Sequence, residues 1–187
     1  FEGEARDEAQ PHIEKASQKI LECEGLDELE DILADCATEI FRIAGGDGGE
    51  DDIRKVLRGE DFTGDPVAEL RASVAAARGE RPWTPALAVA LAFRDTYDAV
   101  IDRASYGGRH TLGGKDFDAF VSTLERVGFG PPVESAQIML ELIDEGRIRI
   151  ELVARGEEDL RDLAEEVGAT VVIDAVQAPP GIVEGTL

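Results

Sequence analysis

The 187-residue chain carries 41 acidic and 19 basic side chains, for a net charge of −22, while its apolar fraction of 43% is ordinary for a globular protein. A field of that sign repels phosphate backbones and argues against nucleic acid as a partner. No apolar run approaches the ~20 residues of a spanning helix, the longest being residues 86–93, so no membrane partner is expected. Fifteen of the basic residues are arginine and only Lys15, Lys19, Lys55 and Lys115 are lysine. Many carboxylates with few lysines suit the cytoplasm of a salt-adapted (halophilic) cell, where ions screen self-repulsion.

The spacing predicts helix through most of residues 1–145. Pro11 opens a first helix with Ile13, Ala16, Ile20 and Leu21 on one face, and Gly25 ends it. Asp27 is placed to cap a second helix, whose stripe is Leu29, Ile32, Leu33, Cys36, Ile40 and Ile43. Gly45-Gly46-Asp47-Gly48-Gly49 breaks it, and a short helix with Ile53, Val56 and Leu57 inward follows. Asp65-Pro66 starts the next by the cap-then-proline rule, with Val67, Leu70 and Val74 inward and Gly79 at its end. The most apolar helix, about 85–105, is apolar nearly all round in its first half, which predicts the central helix of a bundle.

A glycine-bracketed loop, 107–114, leads to a helix at 116–126 with Phe117, Phe120, Val121 and Leu124 on one side. Gly128-Phe129-Gly130-Pro131-Pro132 leads to another at about 133–145. Then the period changes. Residues 148–153 alternate with period two, 157–167 read as helix, and 171–176 are apolar and β-branched, as a buried strand would be. The expected fold class is mostly α with a C-terminal α/β portion: a helical domain over 1–127, then a segment over 128–187 that ends in strand–helix–strand. With one methionine, Met139, a start at Phe1 and a stop soon after the last strand, the chain reads as an internal piece of a longer protein.

Cys23 and Cys36 stand thirteen apart with no CxxC, and His12 and His110 are the only histidines, so no metal site is expected. Both cysteines fall on helical patterns as small core residues, and reduced thiols fit a cytoplasmic protein. In the loop after Tyr106, Arg109 and His110 are groups that hold a phosphate or carboxylate, and glycines admit a ligand close to the backbone. The same glycines also serve a simple chain reversal. The turn at 128–132 precedes a helix N-terminus, whose free amides and partial positive charge suit a nucleotide phosphate. Against that, Pro131 and Pro132 lack N–H groups, and Glu134 already supplies a counter-charge. Asp174 has the place of a ribose-binding acid, but no Gly-x-Gly-x-x-Gly segment occurs in the chain.

Three segments together, Ala104-Ser105-Tyr106-Gly107-Gly108-Arg109, then Glu125-Arg126-Val127-Gly128-Phe129-Gly130-Pro131-Pro132-Val133-Glu134, then Val172-Ile173-Asp174-Ala175-Val176-Gln177-Ala178-Pro179-Pro180-Gly181, resemble the middle of FAD/NAD(P)-binding flavoproteins. That group includes flavin-dependent urate hydroxylases and aspartate N-monooxygenases, and the resemblance covers roughly residues 83–187. It implies a cytoplasmic, monooxygenase-like oxidoreductase using FAD and NAD(P)H, with this chain supplying a helical insertion and part of a nucleotide-binding half. The expected partners are then a small-molecule substrate and the rest of the parent chain. The resemblance places Gly128, Phe129, Gly130 and Pro131 nearest a cofactor. Tyr106, Arg109 and His110 are the candidates for substrate, and no catalytic residue transfers. The alternative from another class is an acidic helical protein-interaction module with no enzymatic activity.

Overall fold

In the computed structural model, residues 4–60, 65–150, 166 and 168 are described, and they form helices, turns and connecting segments. The first helix, α1 (Glu4–Glu22), begins earlier than expected, so Pro11 lies inside it. A proline there removes one helical hydrogen bond. The turns before it compensate by burying Ala9 and by pairing Arg6 with Asp95 further along the chain. Ile13, Ala16 and Ile20 are buried as the spacing predicts, whereas Leu21 faces outward.

The second helix, α2 (Leu26–Ile43), takes Gly25 rather than Asp27 as its N-cap. The Glu24 amide donates to the Glu28 carboxylate at 2.8 Å, and Asp27 and Glu28 lie in the first turn, where negative charge offsets the helix dipole. At the other end the chain turns back over the Phe41 ring. A Cβ at Gly46 would stand 2.0 Å from Phe41 Cε2, so a glycine is what lets the backbone pass. Helix α3 (Glu50–Leu57) buries Ile53, Val56 and Leu57. It is tied to α2 by Arg54, which reaches Asp31 at 2.8 Å while also pairing with Glu50 of its own helix at 2.7 Å, and by Arg58, which reaches Glu30 at 2.9 Å.

Helix α4 (Pro66–Ala77) starts where the Asp65-Pro66 rule puts it, with Asp65 Oδ1 accepting from the Val67 and Ala68 amides at 3.1 and 2.9 Å. Helix α5 (Pro85–Ala104) is capped by Thr84 Oγ1, which accepts from the Leu87 amide at 3.2 Å. Six consecutive residues, Ala88 to Phe93, are buried, so this helix is covered on every side there, while Asp98 and Asp102 further along are exposed. It packs against α1, α2 and α3, and against α7 (Lys115–Gly128), which returns beside it after a 3₁₀ turn (Ser105–Gly107) and a one-turn helix, α6 (Gly108–Thr111). The Arg103 Nε donates to the Cys23 carbonyl at 2.7 Å and so holds the chain just past the end of α1. Helix α8 (Val133–Asp144) packs on α4 around a smaller core of Val74, Ala136 and Leu140, with an ion pair between Arg71 and Asp144.

The α/β expectation is corrected here. The described residues are all-helical, with no strand and no sheet. At residues 146–148, up to the first residue of the period-two alternation, the amides turn back into the end of α8. Gly146 donates to the Ile143 carbonyl, and Arg147 and Ile148 donate to the Leu142 carbonyl at 2.8 and 3.1 Å. A helix C-terminal motif of this kind consumes the donors a strand would offer, and no neighbouring strand among the described residues supplies a ladder. Residues 151–153 and the second predicted strand, 171–176, lie outside the described residues. So does the 157–167 helix, apart from Glu166, which is helical. The unit built from these helices spans Phe1–Arg149.

The crowding at Phe41 makes a direct test. Gly46→Ala is expected to destabilise the protein by about 1–3 kcal/mol, as overpacking does. Gly130→Ala, where an added Cβ meets nothing within 4 Å, should stay within about 0.5 kcal/mol of the parent in chemical denaturation.

Candidate functional site

The two groups of residues singled out by sequence are held by one hairpin, α5 with α7, at its opposite ends. Gly128 closes α7 against the middle of α5, where an added Cβ would stand 3.0 Å from Phe93 Cδ1. Tyr106 follows the far end of α5, beyond Ala104. At 1.5 Å per residue, the eleven residues from Phe93 to Ala104 separate the two by about 16 Å. The structure therefore does not bring Gly128, Phe129, Gly130 and Pro131 together with Tyr106, Arg109 and His110.

At the Tyr106 end the predicted loop is wound into helical turns. Tyr106 has left-handed backbone angles (φ 54°, ψ 35°) and a fully exposed ring. Gly108 is required by a close approach, since a Cβ there would fall 1.8 Å from the Arg103 carbonyl oxygen. Arg109 is engaged in an ion pair with Asp118, and His110 is exposed. All three side chains, Tyr106, Arg109 and His110, are thus exposed.

At the other end, Phe129 is half-exposed (53%), yet its ring is supported edge-on by Tyr97 at 5.2 Å and Phe93 at 5.9 Å. Phe93 and Tyr97 are themselves perpendicular at 5.4 Å. Helix α8 begins after Pro132 with no side-chain cap, so its first amides are free of side-chain acceptors, although Glu134 sits among them. The turn thus presents an aromatic ring beside a helix N-terminus.

Both cysteines are free and buried. Burial pushes the Cys36 thiol up to about 12, reinforced by the nearby Asp95 and Asp35 carboxylates. Burial likewise raises Cys23, opposed by Arg103. Neither is an activated nucleophile. Among the described residues no group of acidic, histidine and cysteine side chains has the arrangement of a metal site, and no helix is long and apolar enough to cross a membrane.

Sequence reasoning missed a concavity on the helical unit. A half-open groove of about 420 Å³ runs between α1 and α2, with Glu50 at its α3 end. Its α1 wall carries His12, Lys15 and Lys19, and its α2 wall carries Asp35 and Glu39. Ala16, Ile32 and Cys36 form an apolar floor, and the Thr38 hydroxyl is buried there without a hydrogen-bond partner among the described residues. The signal was present: His12, Lys15 and Lys19 are spaced three and four apart, one face of a helix.

The fold and its groove define an acidic α-helical bundle. No protein-family model, curated protein or solved structure matches the chain.

The Cys36 environment carries a pH prediction. Its folded value lies above the ordinary thiol value of 9.0, so the stabilisation it contributes is complete below about pH 9 and is lost as pH rises toward about 12. Unfolding free energies measured from pH 8 to 11 should converge for parent and Cys36→Ala by up to about 1.4 kcal/mol per pH unit above pH 9. A constant difference across that range would contradict the assignment.

Proposed function

We propose that the chain is the helical part of a monooxygenase-type oxidoreductase that uses FAD and NAD(P)H, and that its role is to present an aromatic contact beside the cofactor. The observation that carries this reading is the Phe129 ring. It stands half-exposed at the turn for which the flavoprotein resemblance implies a place near the cofactor, and Tyr97 and Phe93 brace it edge-on. A supported aromatic ring packs favourably on the plane or edge of a flat heterocycle.

The described residues fit that contact and not a whole dinucleotide site. Pro131 and Pro132 offer no amides to a pyrophosphate, and Glu134 in the first turn of α8 opposes one. The pyrophosphate is accordingly assigned to residues outside this unit, and no redox step is assigned to a side chain of this chain. The bundle orients and shields, which is the protein's share of the work in cofactor chemistry.

A second reading, an acidic interaction module without catalysis, is favoured by α5's outer face. Asp98 and Asp102 stand exposed one turn apart there, without an ion pair among the described residues. A cationic partner held that way dissociates as salt is added.

The test is a flavin absorbance spectrum in high salt. A longer polypeptide containing these residues should be yellow and the 187-residue chain colourless. Phe129→Ala in the longer polypeptide should weaken FAD retention by about 2- to 10-fold. Colourless preparations of both, with no uptake of added FAD, would reject the flavin reading in favour of the interaction module.

A further inference from the structure

The groove between α1 and α2 is independent of the flavin reading. Its two walls carry opposite charge, yet none of Lys15, Lys19 and His12 forms an ion pair among the described residues. Elsewhere the chain does use ion pairs between helices. Its arginines tie one helix to the next, as Arg6 does to Asp95, Arg54 to Asp31, Arg58 to Glu30 and Arg71 to Asp144. Two of the four lysines of a chain with net charge −22 stand instead side by side over one concavity. Like charges four apart on a helix repel, so their placement costs α1 stability unless something occupies the space between the walls.

Across the groove, Glu39 is already neutralised by Arg42 at 3.0 Å and Glu50 by Arg54 at 2.7 Å, whereas Asp35 has no ion pair among the described residues. One wall therefore offers two free ammonium groups and the other one free carboxylate. A simple anion drawn to Lys15 and Lys19 meets Asp35, and a simple cation drawn to Asp35 meets the lysines. A molecule carrying both charges satisfies both walls. The floor adds short apolar surface from Ala16 and Ile32, and an unsatisfied hydroxyl at Thr38. A helical threonine has two accessible χ1 wells, so a bound polar group can engage it by rotation. A volume of about 420 Å³ is that of a small-ligand site.

We propose that this groove binds a small zwitterion of the amino-acid type, its carboxylate between Lys15 and Lys19 and its ammonium group at Asp35. The free-charge inventory fixes the assignment of the two ends, because both free lysines lie on α1 and the free carboxylate, Asp35, on α2. Burial of the ligand's methylenes against Ala16 and Ile32 sets a preference for an apolar spacer between the charged ends.

The experiment is an amide chemical-shift titration of the full isotope-labelled chain with 6-aminohexanoate. Hexanoate and hexylammonium serve as singly charged controls at constant ionic strength. Saturable shifts are expected at residues 12–19 and 35–39, with the controls weaker by about tenfold or more. Lys15→Ala combined with Lys19→Ala, and separately Asp35→Asn, should each weaken binding by about tenfold while leaving thermal unfolding in place. Equal shifts from the controls, shifts confined to other residues, no shifts, or undiminished binding by both variants would overturn the proposal.

Discussion

The burial of residues 88–93 of α5 by four surrounding helices is the constraint from which the rest of the structure follows. Val89, Leu91 and Phe93 each lose nearly all their exposure, and a fully buried side chain of that kind contributes about 1.5–3 kcal/mol relative to an exposed one. The alanines between them, at 88, 90 and 92, are small enough for α1, α2, α3 and α7 to approach α5 together. Once α5 is enclosed, α7 must run back along it, and this places the 128–132 turn at its middle and Tyr106 past its end. The same enclosure seats α1 beside α2, leaving the groove on their outer side.

Charge is distributed so that this core survives a large excess of carboxylates. Arginine carries the ties between helices, and the Arg54–Glu30–Asp31–Glu50 group joins α2 to α3 with Glu30 and Arg54 mostly shielded from water. Exposed pairs of this sort contribute little individually, about 0–1 kcal/mol, so their role is to orient helices already held by apolar packing. Lys15 and Lys19 make no such tie among the described residues and line the groove instead. They belong to the groove and not to the scaffold.

Helix identity was legible wherever a local rule and the apolar spacing agreed. Asp65-Pro66 placed the start of α4, Ile53, Val56 and Leu57 placed α3, and the all-round apolar run placed α5 at the centre. Pro11 misled because its preference for a first turn is local, while the burial of Ala9 and the Arg6–Asp95 pair depend on α5, 80 residues away and more. The strand reading failed over 148–150, its described part, for a related reason: alternation announces a strand only if a neighbour offers a ladder, and at 146–148 the end of α8 takes the donors first. The aromatic support of Phe129 by Tyr97 was out of reach of spacing, since it joins the turn after α7 to a residue of α5. The groove's cationic face was legible in α1 alone, but its acidic wall appears only when α2 is laid beside it.

Native-state amide hydrogen exchange across a denaturant series tests the central claim that α5 organises the bundle. Amides of residues 89–100 should exchange only through global unfolding, with its full free energy and denaturant dependence. Those of α4 and α8, which share a core of three buried residues, should open earlier and with a smaller slope. Exchange of α5 amides through local opening, while α4 and α8 remain protected to the global limit, would contradict the account.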